Sequence, residues 1–187
     1  MRKWIGCFAL AVSLAVAGFN SQAEAQDLIK VGAAAPEFEM KGSDGKTYSA
    51  KDFVDKQAVV IAWFPRAFTG GCTKECKSIK DSGAKLKEYQ VAYFTASTDT
   101  VEKNAEFAKS LELDYPILCD PEGKNAKLFG VLKPDGKAAN RVTFIIGKDG
   151  KILAIDDMVK TDTHGQELSE QLAKLGVAKK ASEALKK

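Results

Sequence analysis

Seven consecutive apolar residues, Ala58-Val59-Val60-Ile61-Ala62-Trp63-Phe64, most constrain how this chain can fold. A strand apolar on both faces must be covered on both faces, so the run predicts a central strand with packing layers above and below. The run stops at Pro65. Two glycines, Gly70 and Gly71, then precede Cys72, and the Lys/Glu-rich segment Thr73 to Glu88 reads as a helix. A thiol therefore stands where a strand hands over to a helix. Only a thiolate attacks, and a free cysteine has a pKa near 8.5. Unpaired N–H groups and the positive end of a helix dipole would stabilise that thiolate. The hydroxyl of Thr69, three residues earlier, can reach the sulfur or cap the first turn. Gly70 and Gly71 let the backbone approach closely. A cation from elsewhere in the fold would complete the neutralisation.

The N-terminus is set apart from the fold. Arg2 and Lys3 precede an apolar run from Trp4 to Phe19, and Ala23-Glu24-Ala25 supplies the small-x-small pattern of a signal cleavage site. The run falls short of the roughly 20 residues of a spanning helix. The expectation is a secretion signal over 1–25, cut after Ala25, and an exported, periplasmic or secreted domain over 26–187 with no membrane partner after cleavage. Cleavage removes Cys7 and leaves Cys72, Cys76 and Cys119. In an oxidising compartment an odd count suggests a reactive thiol or exchanging pairs. A formal charge of +3 is too small and too scattered to argue for nucleic acid as a partner.

Further along, Gly42 to Gly45 is a turn signal between Phe38-Glu39-Met40 and Thr47-Tyr48, which predicts an N-terminal hairpin. Val91 to Ala96 reads as a strand. Asp99 and Glu102 have capping-box spacing ahead of a helix with Val101, Ala105, Ala108 and Leu111 on one face. Tyr115 to Leu118 is a short strand. Asp120 and Pro121 open a helix to about Phe129, closed by Gly130. Val142–Ile146 and Ile152–Ile155 flank Gly147 to Lys151, the strongest hairpin signal in the chain. Thr163 and Gln166 form another capping box before a helix lined by Leu168, Leu172 and Leu175. The Lys/Ala-rich tail, 178–187, reads as a frayed helical extension. This order fits a mixed α/β sheet in a three-layer sandwich of the thioredoxin type, as one domain.

Pro65-x-x-x-Thr69-x-x-Cys72 resembles the active-site pattern of the peroxiredoxins, the alkyl hydroperoxide reductase/thiol-specific antioxidant family. Thr69-x-Gly71-Cys72-Thr73-Lys74-Glu75 is similar to the Q-type, or bacterioferritin-comigratory-protein, branch. Pro36-Glu37-Phe38, Tyr115-Pro116-Ile117-Leu118-x-Asp120-Pro121-Glu122-Gly123, and Arg141 to Ile146 with Asp149-Gly150 extend the likeness from about Val31 to Gln171. The resemblance implies a thiol peroxidase in which Cys72 attacks the O–O bond and becomes a sulfenic acid. Thr69 and Arg141 would hold the peroxide oxygens, and Pro65 would shield the thiolate. It implies no metal, haem or flavin, a thioredoxin-like dithiol protein as reductant, and a monomer rather than an oligomer.

Two positions depart from the branch. Gly70 stands where the motif usually has proline. Lys77 occupies the place of the resolving cysteine, and Cys76 lies one residue earlier. Cys76 is the preferred resolver; Cys119 and the absence of any internal resolver remain open. Two other activities compete. Cys72-x-x-x-Cys76 has the spacing of copper-delivering Sco-type proteins, since soft thiolates suit copper. Those need a histidine where this chain has Asn140-Arg141, and the single histidine, His164, reads as a solvated residue at the start of the last helix. Exported thiol–disulfide oxidoreductases use Cys-x-x-Cys and a proline where this chain has Thr143.

Overall fold

The computed structural model describes residues 29–181. The expected signal segment with Cys7, and residues 182–187 of the tail, lie outside that range. Seven strands form one sheet: β1 (Glu39–Gly42), β2 (Thr47–Ser49), β3 (Ala58–Trp63), β4 (Val91–Ser97), β5 (Ile117–Cys119), β6 (Val142–Ile146) and β7 (Ile152–Asp156). Their order across the sheet is β2-β1-β5-β4-β3-β6-β7. The helices are α1 (Gly70–Asp81), α2 (Gly83–Leu86), α3 (Val101–Ser110), α4 (Lys124–Leu128) and α5 (His164–Lys174).

All six residues of β3 are buried, as the apolar run requires. Val59, Ile61 and Trp63 pack with Phe94, Phe129 and Phe144 on one face. Val60 and Ala62 meet Ile79 of α1, Leu86 of α2, and Leu168 and Leu172 of α5 on the other. The N-terminal segment forms the expected hairpin, β1 pairing antiparallel with both β2 and β5. The fold is the thioredoxin-type sandwich with that hairpin added.

Register puts the site together. β3 runs parallel to β4 but antiparallel to β6, with Ala62 opposite Thr143 and Trp63 opposite Val142. β6 therefore enters the sheet where β3 leaves it. Arg141, one residue before β6, comes level with the chain that leads from Phe64 into α1. That proximity needs the sheet and cannot arise from local sequence.

Several local expectations are corrected. The helix expected over Thr73 to Glu88 begins earlier, at Gly70, and breaks at Ser82 (φ −90°, ψ 0°) into α1 and α2. Asp-Ser-Gly is poor helix chemistry, so the break follows propensity. Asp99 does not cap α3. Thr100 does, its Oγ1 accepting from the Lys103 N–H at 3.3 Å, and the buried centre of α3 is Asn104 and Phe107. α4 starts at Lys124 behind Gly123 (φ +68°), although Asp120 Oδ2 still accepts from the Ala126 N–H at 2.7 Å. Thr163 donates to Glu167 Oε1 rather than capping α5. The described part of the tail is not helical: Lys179 bridges Tyr89, and the Lys180 N–H reaches the Glu88 carbonyl at 2.7 Å.

Candidate active site

The chain from Pro65 to Thr69 is held from both sides. Before it, the Phe64 N–H extends the β3–β4 ladder by donating to the Ala96 carbonyl at 2.8 Å. Within it, the Ala67 N–H donates to Asp99 Oδ2 at 2.8 Å, and Lys103 Nζ lies 2.6 Å from the other oxygen of that buried carboxylate. Here is what Asp99 does instead of capping: it pins the loop. Phe68 takes a left-handed conformation (φ +64°) that is strained for an aromatic residue. Phe68 is 50% exposed, and its ring centroid lies 4.9 Å from that of Phe107. Pro65 is half-buried at the base of the loop.

Thr69 is the N-cap residue of α1, but its side chain caps nothing. The hydroxyl donates to the Arg66 carbonyl at 3.0 Å, so the expected hydroxyl contact with the first turn is replaced by one within the loop. Gly70 faces open space and meets no steric demand. Gly71 differs: a Cβ there would lie 3.4 Å from Arg141 Nη2, at van der Waals contact. The glycine keeps the guanidinium uncovered.

Cys72 lies in the first turn of α1 and is 1% exposed. Arg141 Nη2 stands 3.3 Å from its Sγ, across 69 positions of sequence. The other guanidinium nitrogen pairs with Glu75 Oε2. Glu75 is fully buried, three residues after Cys72 on the same side of α1. A carboxylate there persists only because it is paired. In turn it holds the planar guanidinium in one orientation, with a second nitrogen free to face sulfur. The arrangement sets positive charge against a buried cysteine, where it counts for more than in water.

His164 is also 1% exposed, which corrects its reading as a solvated residue. Its Nε2 lies 3.1 Å from Thr143 Oγ1 and its Nδ1 lies 3.1 Å from Glu75 Oε1. Burial, aided by the Arg141 charge, pushes the imidazole down to about 4 against the opposing pull of Asp156 and Glu167. At neutral pH the ring carries no charge. Sequence reasoning missed both Glu75 and His164 as parts of the site. The i, i+3 spacing of Cys72 and Glu75 was an available signal for the first; nothing local signalled the second.

The other two thiols have different surroundings. Cys76 is buried one helical turn beyond Cys72, and burial pushes its thiol up to about 12 despite nearby Tyr115 and Thr95. Cys119, at the end of β5, accepts from Asn104 Nδ2 at 3.3 Å and donates to the Ile117 carbonyl at 3.4 Å. Burial pushes it up to about 11. All three thiols are unpaired.

The AhpC/TSA family model matches residues 31–155. The chain is 33% identical over 142 residues to Peroxiredoxin Bcp of Escherichia coli (strain K12), spanning 73% of this chain and 90% of that protein. It is 31% identical over 150 residues to Peroxiredoxin Bcp of Bacillus subtilis (strain 168), spanning 77% and 95%. Among solved structures, Peroxidoxin BcpB from Mycobacterium tuberculosis superposes with a TM-score of 0.72 at 31% identity, covering 78% of this chain and 97% of that one. A PrxQ mutant from Xylella fastidiosa shares the fold, with a TM-score of 0.73 at 19% identity over 79% and 98%. The copper-delivery alternative draws no support from these relatives. With family model, relatives and fold in agreement, the chain belongs to the AhpC/TSA family and is a thiol-dependent peroxidase of the Bcp, or Q-type, peroxiredoxins.

Proposed function

We propose that Cys72 is the peroxidatic cysteine and that Arg141, Thr69 and Pro65 complete its pocket. The 3.3 Å approach of Arg141 Nη2 to Cys72 Sγ carries this reading. The thiolate attacks one peroxide oxygen, the O–O bond breaks, and the departing oxygen leaves as water or alcohol after taking a proton. Cys72 becomes a sulfenic acid. Arg141 and the first-turn N–H groups stabilise the charge that develops on the departing oxygen. Thr69 has its proton on the Arg66 carbonyl, so the lone pairs of its oxygen are left to accept from the peroxide O–H. Stopped-flow reaction of the reduced protein with hydrogen peroxide tests the assignment. A fast phase that persists in Cys72→Ser defeats it.

Cys76 is the resolving thiol in this reading. It attacks the sulfenic sulfur, expels water and forms a Cys72–Cys76 disulfide, which a thioredoxin-like dithiol protein reduces. At i, i+4 the two Cβ atoms stand about 5–6 Å apart on an intact helix, whereas a disulfide wants about 3.5–4.5 Å. The first turns of α1 must therefore loosen, which also exposes Cys76. Peptide mapping after one equivalent of peroxide tests this: a Cys72–Cys119 peptide moves the role to Cys119, and a stable sulfenic acid removes it from both. The protein works outside the cytoplasm after loss of residues 1–25, and acts as a monomer. N-terminal sequencing of the exported protein, expected to start at Gln26, and size-exclusion chromatography test these two statements.

A further inference from the structure

His164 is a buried titratable group with no part in the chemistry just described. It opens α5, a helix clamped tightly to α1. A Cβ at Gly165 would fall 2.1 Å from the Ser78 carbonyl oxygen, and the Gly165 N–H donates to Ser78 Oγ at 3.0 Å. This clamp fixes the imidazole over Glu75. Nδ1 and Glu75 Oε1 come within 3.1 Å, a polar contact without the alignment of a full hydrogen bond, and neither atom has a hydrogen-bond partner elsewhere. Glu75 Oε2 is taken by Arg141. On its far side the ring meets Thr143, two residues after Arg141 and so on the same face of that strand. The contacts form a chain of side chains, from Arg141 just before β6 through Glu75 of α1 and His164 of α5 to Thr143 of β6.

The geometry points to His164 as a positioning residue for the peroxide reaction, holding the Glu75 carboxylate, and through it Arg141, beside Cys72. The inference rests on the reading of Cys72 as the attacking thiol. A carboxylate held at one oxygen can swing and carry its guanidinium away from the sulfur. One bound to Arg141 at Oε2 and seated against the His164 ring at Oε1 has less room to do so. The neutral ring carries its proton on Nδ1, towards the carboxylate, and offers Nε2 as acceptor to the Thr143 hydroxyl.

The test is stopped-flow reaction of the reduced full chain with hydrogen peroxide, across five variants. Cys72→Ser is expected to be unreactive; a wild-type rate there would instead defeat the assignment of the thiol. His164→Leu fills the space but contacts neither partner, and is expected to react about ten-fold more slowly. His164→Gln restores a donor and an acceptor and is expected to stay within about three-fold of wild type. Because His164 acts through Glu75, His164→Leu placed in a Glu75→Gln background is expected to cost less than about two-fold beyond Glu75→Gln alone. The inference is overturned if His164→Leu reacts at the wild-type rate, if His164→Gln is as slow as His164→Leu, or if the ten-fold loss persists in the Glu75→Gln background. Should His164→Leu fail to fold, Thr143→Val decides: about a three-fold loss is expected, and an unchanged rate overturns the proposal.

Discussion

Cys72 and Cys119 are both buried thiols at the same end of the sheet, yet their neighbours are opposite in kind. Cys72 has the Arg141 guanidinium at 3.3 Å; Cys119 has a neutral amide, Asn104 Nδ2, at the same distance. Burial alone penalises a thiolate, and at Cys119 it drives the thiol up to about 11. The two thiols therefore differ in the charge beside them rather than in exposure, and the proposed role of Cys72 rests on that contrast. At Cys72 that charge comes from Arg141, 69 residues away and just before β6, steadied by a buried carboxylate one helical turn on.

The largest expected effect breaks the comparison outright. Cys72→Ser should abolish rapid peroxide reduction, and Cys119→Ser should leave the second-order rate within about two-fold. A slow Cys119→Ser would show that the two thiols are not so different. Next comes the cation. Arg141→Met should lower the peroxide rate by about 10²–10³-fold. It also strands the Glu75 carboxylate, a destabilisation of about 3–5 kcal/mol. Pairing it with Glu75→Gln should recover stability in a denaturant melt without recovering the rate. Recovery of both would mean that Arg141 serves the fold rather than the thiol.

A smaller effect follows from the neutral histidine. With His164 at about 4 in the folded protein and an ordinary value of 6.5, the unfolded chain takes up a proton between those limits that the folded protein refuses. Stability should therefore fall as pH drops from about 6.5 to about 4, and the full penalty is about 3 kcal/mol. Urea melts at neutral pH and near pH 4 measure it. The decline should be shallower in His164→Gln by roughly that amount. Equal slopes would mean that the ring is charged in the folded protein. Smallest of all, Cys119→Ser keeps a donor and an acceptor for the Ile117 carbonyl and Asn104, so its stability should change by less than about 1 kcal/mol. A larger loss in a melt would make sulfur packing, not hydrogen bonding, the role of that thiol.

Strand and hairpin expectations survived well, whereas the helical face expected for α3 and those based on capping often did not. Ala58 to Trp63 became a buried central strand, and the segments around Gly42–Gly45 and Gly147–Lys151 became hairpins. Asp99, Asp120 and Thr163 each had the right type and spacing to cap a helix. Asp120 still accepts from the Ala126 N–H of α4, but a side chain takes the best partner in space: for Asp99 that was the Ala67 N–H, 32 residues away, and for the Thr163 hydroxyl the Glu167 carboxylate. The tail from Ala178 was Lys/Ala-rich enough for a helix, yet Lys179 and Lys180 joined the Glu88–Tyr89 edge.

The sequence by itself determined that a thiol would sit where the central strand meets a helix, because an apolar run, a proline and paired glycines leave little else possible there. Its motif resemblance also named Arg141 and the kind of chemistry. Only the tertiary structure decided what surrounds that thiol. Antiparallel entry of β6 beside β3 set Arg141 against Cys72, and the tight seating of α5 on α1 at Gly165 buried His164 over Glu75. Periodicity and turn chemistry are short-range, so they are written locally. A charge network assembled from three elements depends on packing, and it exists only once the sheet has closed.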